Sequence, residues 1–350
     1  MKKSLVLILA LWYTGAYSMA QDSSDHNGLS PSVFKRVLNQ QFTNLITGKS
    51  KNSIGNFASL NLKESEVSFS GCTIFPNNSV LTVKVSGAVS DGMFAIFSNS
   101  KLNTEVALGI QYNYLAPGKK SLSYLDDDTS KITGFRFGWF SVGYKIQNNS
   151  FRLIDTSAVF ANQITKTNFV SHELRLQYSY YKWSSSAWES YYLCGGFAFS
   201  YGNNLSDLTT TEVSEVKYYG PNPYERTTTE KYNAYIGMYK KDIKSLRIYG
   251  DCYGFMLDEN KLAFHFYPEL NIRDKVQPMV NIGVGILVSF KDADDKSSVV
   301  NAEVYWNALD VFNASNSSYS LLERNKIGIN FSFPIKFKTE EVLNDEKNKK

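Results

Sequence analysis

The sequence predicts an all-β chain folded as an antiparallel transmembrane β-barrel of about fourteen strands, with twelve as the alternative, and three observations predict it. From about residue 64 onward, apolar residues recur at every second position, as in strands with one apolar and one polar face. Most of these runs reach ten residues or more, whereas strands of soluble sheets commonly have about five or six and a tilted strand crossing a bilayer needs about nine to eleven. Aromatic residues make up 15% of the chain (Tyr 23, Phe 23, Trp 5) while the mean hydropathy is −0.28. That combination excludes a bundle of membrane-spanning helices and suits a barrel whose apolar outside is diluted by a polar inside.

Residues 1–20, MKKSLVLILALWYTGAYSMA, read as a secretory signal peptide: Lys2 and Lys3, an apolar core from Leu5 to Leu11, then Ser18 and Ala20 at the two positions where cleavage needs small side chains. The apolar run is shorter than the ~20 residues of a spanning helix, and no Cys follows it for lipid attachment. Residues 21–62 read as an N-terminal helix and linker. Ser30 can cap the helix, Pro31 suits its first position, and Phe34, Val37, Leu38, Phe42, Leu45 and Ile46 form one face before Gly48 ends it. This helix, 31–47, is expected to plug the lumen or dock at its mouth, since its polar face lacks the basic character of a helix lying on a membrane surface.

The barrel is assigned to 63–337 and a charged tail to 338–350. Thirteen segments carry the period-two pattern: 64–71, 79–90, 104–114, 132–146, 150–161, 169–183, 187–202, 231–241, 243–256, 261–273, 278–290, 298–308 and 325–337. Single-chain bacterial barrels normally have an even number of strands, which is why the estimate is rounded up to fourteen. One irregularity falls inside 132–146, where Phe135, Phe137 and Trp139 give way to Phe140, Val142 and Tyr144; a β-bulge would produce this change of phase. Connectors come in two sizes. Gln147–Ser150, Ser184–Ser186 and Lys241–Asp242 read as short turns on one side, and 116–130 and 202–230 as long loops on the other, the asymmetry of short periplasmic turns and longer external loops.

With its signal peptide, its alternating strands over 64–337 and its last strand KIGINFSFPIKF, the chain resembles the integral outer-membrane β-barrel proteins of Gram-negative bacteria. The resemblance implies outer-membrane lipid and the barrel-assembly machinery as partners. It also implies that Phe331, Phe333, Ile335 and Phe337 form the assembly signal of the final strand. In that family the signal usually ends the polypeptide, whereas here 13 residues, KTEEVLNDEKNKK, follow Phe337.

Chemistry-bearing motifs are sparse. Without residues 1–20 the chain has 35 basic and 33 acidic residues, no basic footprint for nucleic acid. Cys72, Cys194 and Cys252 are not a disulfide framework, although one pair could form, and no cysteine or histidine cluster suggests a metal or cofactor. Of three histidines, His172 beside Glu173 and His265 near Glu269 are the only bases on which a lipid-modifying barrel enzyme could rest. No GxSxG-type elbow accompanies them, so the reading is that the chain is not an enzyme. The glycines of NIGVGILV relieve crowding inside the barrel rather than form a nucleotide loop.

The polar faces place Lys84, Glu105, Arg136, Glu173, Arg175, Arg247, Asp251, His265, Glu269 and Glu303 in the lumen. There they either line a water-filled passage or pair to fill a closed interior. Outward aromatics such as Tyr112, Tyr114, Tyr178, Tyr180 and Trp306 read as girdles at the membrane surfaces. The function this points to is a porin-like channel or transporter for small solutes. The alternatives are a closed structural or interaction barrel binding a partner through its long loops, and a hydrophobic-substrate transporter with an N-terminal hatch.

Overall fold

A computed structural model describes residues 54–335, apart from 63–65, 76–78, 89–96, 99–100, 103–105, 117–118, 125–129, 160–161, 185, 206–207, 220–225, 258–259, 275–276, 294–297 and 315–319. The signal peptide, the helix expected at 31–47, Glu105, Phe337 and the tail 338–350 lie outside the described residues. The strands in chain order are β1 (Phe57–Asn61), β2 (Glu66–Ile74), β3 (Ser79–Ala88), β4 (Phe97–Ser98), β5 (Lys101–Leu102), β6 (Ala107–Leu115), β7 (Lys119–Tyr124), β8 (Ser130–Ile154), β9 (Ile164–Ser184), β10 (Tyr191–Asn203), β11 (Thr209–Tyr219), β12 (Arg226–Ile236), β13 (Lys241–Phe255), β14 (Leu262–Arg273), β15 (Met279–Lys291), β16 (Ser298–Ala308) and β17 (Asn325–Pro334).

Twelve of these close an antiparallel barrel in simple chain order: β1, β2, β3, β6, β8, β9, β10, β13, β14, β15, β16 and β17, with β17 returning to β1. Closure gives every barrel strand a partner on both sides, so no backbone edge is left to be solvated. The seam pairs Phe57 with Pro334 and Asn61 with Asn330. Next to the proline, Ile335 donates its N–H to the Asn56 carbonyl at 2.8 Å. Alternation along the strand therefore turns position 334 away from β1, toward β16, whose pairing with β17 has already ended at Asn301–Ser332. Proline is placed where its missing N–H deprives no ladder partner.

The strand number is twelve, not fourteen, through three compensating corrections. Residues 132–146 and 150–161 belong largely to one strand, β8, which pairs with β9 from Gly134–Ser184 to Ile154–Ile164 in unbroken register; QNNS at 147–150 is strand, not turn. The segment 231–241 contributes to β12, which lies outside the barrel. β1, five residues long, lies within the stretch that reads as linker in the sequence. The irregularity in β8 is likewise not a bulge, because the register does not shift there.

The two long connectors lie at opposite ends of the barrel. Counting along the strands, the end at which the chain enters β1 and leaves β17, here the terminal end, carries connectors 75–78, 116–129, 185–190, 256–261 and 292–297. The far end carries 62–65, 89–106, 155–163, 204–240, 274–278 and 309–324. The connector 116–129 thus shares its end with the short turns, and it folds back as β7 along the start of β8. At the far end β8 and β9 run on together, and the β11–β12 hairpin docks on the tip of β8 through a short parallel pairing, Tyr235–Leu153 and Ile236–Ile154. Arg152 lies 3.5 Å over the Tyr232 ring and Phe151 packs edge-on to Tyr235, so the long loop is a folded fin rather than a loose crossing. In the β8–β9 turn, Asp155 accepts hydrogen bonds from the Ser157 hydroxyl (2.6 Å) and N–H (2.9 Å), which hold its carboxyl below the usual range.

Side chains sort in the opposite sense to those of a water-soluble barrel. On the outer face Val83, Ile110, Phe140, Val142, Phe197, Ile286, Val304 and Ile327 are between 45% and 67% exposed. Inside, Ser68, Thr82, Asn113, Ser141, Gln177, Ser179, Asn301 and Ser332 are buried, each with a hydrogen-bond partner on another strand. Ser141 donates to Asn113 at 2.7 Å, Asn113 to the Val80 carbonyl at 3.1 Å, and Ser298 to Asn301 at 2.5 Å. These bonds satisfy polar groups that burial would otherwise penalise.

Toward the terminal end the interior changes character. Phe135, Phe137 and Trp139 of β8 turn inward and pack with Tyr181, Tyr192, Tyr253 and Phe255 in one ring-on-ring cluster with centroids 5.4–6.4 Å apart. Val80, Leu115, Ala263, Leu287 and Ile54 complete this buried core, which draws on β3, β6, β8, β9, β10, β13, β14 and β15. Trp139, Tyr181 and Tyr192 are 0% exposed. Side chains lining an open water channel would not be, so this half of the barrel is filled.

Candidate functional site

Beyond the aromatic core, toward the far end, the interior opens into a half-open polar basin of about 450 Å³. Lys84, Lys145, Arg175 and Arg247 line it together with Glu66, Glu173, Glu269 and Asp251, and Asn61, Gln111, Asn281 and Asn307 supply neutral polar surface. Strand alternation places each of these side chains: Lys145, Glu173 and Arg175 occupy the inward positions of β8 and β9, opposite the outward Tyr144, Leu174 and Leu176.

Charges on one wall are committed to each other. Glu173 accepts from Arg175 through one carboxylate oxygen and from Arg247, at 2.5 Å, through the other. Arg247 Nε also faces Glu269 at 3.6 Å, and Glu269 accepts from Asn281 at 3.3 Å. The room for these long side chains comes from inward residues that have little or no side chain on the intervening strands: Gly109, Gly143, Gly196 and Ala198. A Cβ on Gly196 would stand 2.6 Å from Gln177 and 2.9 Å from the Tyr249 hydroxyl, which together bridge β9 and β13 across β10 with a bond of 2.5 Å.

Between basin and aromatic core lies a buried triad. His265 Nε2 is 2.9 Å from Asp251 and Nδ1 is 2.5 Å from Glu303, with His265 and Glu303 both wholly buried. Tyr253 stacks on the imidazole at 3.9 Å between centroids and Tyr267 covers its other side at 4.6 Å. The glycines of NIGVGILV make this packing fit, as the sequence suggested. A Cβ on Gly285 would come within 2.4 Å of Glu303 Oε1, and one on Gly283 within 1.9 Å of the Tyr267 ring. Gly283→Ala is therefore expected to drive Tyr267 off His265 and destabilise the folded barrel by about 1–3 kcal/mol, read as a lower temperature for loss of the compact gel form; unchanged heat resistance would contradict this packing.

Of the residues assigned to the lumen from sequence, Lys84, Glu173, Arg175, Arg247, Asp251, His265, Glu269 and Glu303 face inward, the first five and Glu269 on the basin and the other two beneath it. Arg136 does not. Its neighbours Phe135 and Phe137 are buried in the core, so alternation sends Arg136 to the exposed outer face. Lys145 also lines the basin, as do Gln111, Asn281 and Asn307, which stand on the polar faces of their strands in the sequence but were not singled out there. The position opposite outward Tyr144 marked Lys145, but its proximity to the supposed QNNS turn hid it. His172 sits outside, 2.6 Å from the Tyr144 hydroxyl. Cys72, Cys194 and Cys252 are not joined in disulfides. Among the described residues no group of three or more His, Cys, Asp or Glu side chains is arranged to hold a metal ion.

No protein-family model and no curated protein matches the sequence. Among solved structures, the NanC porin is similar with a TM-score of 0.31 and 7% identity over 80% of this chain and 98% of that one. The translocator domain of the autotransporter NalP from Neisseria meningitidis is similar with a TM-score of 0.27 and 8% identity, over 82% of this chain and 90% of that one.

Proposed function

We propose that this protein is an outer-membrane β-barrel that holds a polar solute in a one-ended basin instead of conducting solutes through an open pore. Membrane placement is supported by the inverted sorting of side chains. A continuous outer belt of exposed aliphatic and aromatic residues is far larger than the apolar patches tolerated on water-soluble proteins, and it encloses a polar interior. Tyr112, Tyr114, Tyr178 and Tyr180 lie toward one rim of that belt and Tyr144, Tyr201 and Trp306 toward the other, as membrane girdles do.

The observation that carries the one-ended reading is the wholly buried layer of Trp139, Tyr181, Tyr192 and Tyr253 below the basin. Passage and filled interior, alternatives from sequence, here stand in series. With termini in the periplasm, the usual arrangement, the basin faces the outside of the cell beside the β11–β12 fin. In planar bilayers the purified full-length protein is expected to insert without a stable ohmic conductance. Sustained single-channel steps from the wild-type chain would restore the porin reading.

A further inference from the structure

Resting on that reading, we infer that the basin binds a small oxyanion, a carboxylate or phosphate ester with a polar body, seated between Lys84 and Lys145. The two lysines belong to one cross-strand row, Lys84–Gly109–Lys145. The middle position has no side chain, so their stems flank a gap two strand spacings wide, about 10 Å. Both line the cavity. Two of the acids that could neutralise them are engaged elsewhere. Glu173, directly across from Lys145, bridges Arg175 and Arg247, and Glu269 faces Arg247. Glu66 lines the same basin without an ion pair to either lysine among the described residues. Among the described residues neither lysine has a carboxylate within 4 Å.

Two ammonium groups facing one cavity with no carboxylate in ion-pair contact among the described residues repel each other, and an oxyanion between them converts that repulsion into two charge-assisted hydrogen bonds. Gln111 and the asparagines on the opposite wall offer donors and acceptors to the neutral part of such a ligand. At about 450 Å³ the basin is within the range that admits a small molecule.

The test is calorimetric titration of the detergent-solubilised full-length barrel with glucose 6-phosphate, glucuronate and glucose. The two anions are expected to bind and glucose not to, with affinity falling about tenfold or more between 50 and 500 mM NaCl. Lys84→Gln/Lys145→Gln, checked for the compact heat-modifiable form, is expected to lose about tenfold or more in affinity. Binding of one anion but not the other would assign the ligand as phosphate ester or carboxylate. Equal binding of glucose, salt-independent binding, undiminished binding by the folded double variant, or no binding of either anion would overturn the inference. Should the double variant not fold, the salt dependence and the glucose control on the wild type still decide. Conductance is read separately: a conducting barrel that still binds anions through these lysines would refute the one-ended reading alone, and a silent barrel that binds none would refute the anion site alone.

Discussion

Ile110→Lys is expected to abolish recovery of the folded barrel from the membrane fraction, while Gln111→Lys, one residue further along the same strand, is expected to leave it largely intact. Ile110 points outward and is 49% exposed, between Val83 of β3 and Tyr144 of β8; Gln111 points into the basin. A lysine facing lipid costs about 2–4 kcal/mol near mid-depth, and the loss comes during insertion, before the closed barrel can offset it. A lysine at 111 adds a charge to a water-accessible cavity that already holds both signs. Fractionation and heat-dependent gel mobility read the contrast. Equal damage by both substitutions would mean that the outer belt does not meet lipid, and recovery of Ile110→Lys in membranes at wild-type level would mean the same.

This contrast depends on the feature most legible in the sequence. Alternation directly encodes which residues face outward and which the interior, because successive side chains of a strand point to opposite faces and the two faces here differ in polarity. What the alternation could not encode is non-local. β1 carries only FASLN in a Ser- and Asn-rich stretch, and its identity as a strand depends on pairing with β17 at the other end of the chain. QNNS in β8 resembles a turn because β8 there has passed beyond the apolar belt, where neither face needs apolar residues and strand and loop compositions converge.

The filled half of the interior did leave a mark that was misread. Adjacent aromatic pairs, Trp139–Phe140, Tyr180–Tyr181 and Tyr191–Tyr192, occur near one end of three neighbouring strands. One member of each pair faces the core and the other faces outward. An apparent slip of phase was therefore a strand with both faces apolar. The same logic placed Arg136 wrongly: a cation surrounded by aromatics looks like a lumen residue only if the aromatics are assumed to face lipid. The triad was half legible. Inward positions for Asp251, His265 and Glu303 follow from parity, but their meeting depends on the register of β13, β14, β15 and β16 and on Gly285 leaving space for Glu303 to cross β15.

That meeting supports the second large effect. His265→Ala is expected to lower the stability of the folded barrel by about 3–5 kcal/mol, because it leaves Asp251 and Glu303 facing an empty site in the interior without the imidazole that pairs with both carboxylates. It also removes the ring between Tyr253 and Tyr267, so the aromatic layer beneath the basin loses a side chain that locks it. The two contributions separate by design. Adding Asp251→Asn and Glu303→Gln to the His265→Ala chain keeps the packing defect but removes the uncompensated carboxylates, and this triple variant is expected to be more stable than His265→Ala alone. Urea titration of the compact gel form in detergent provides the measurement. A His265→Ala barrel as resistant as the wild type would show that the triad does not hold the floor of the basin, and a triple variant no more stable than the single one would assign the loss to packing instead of charge.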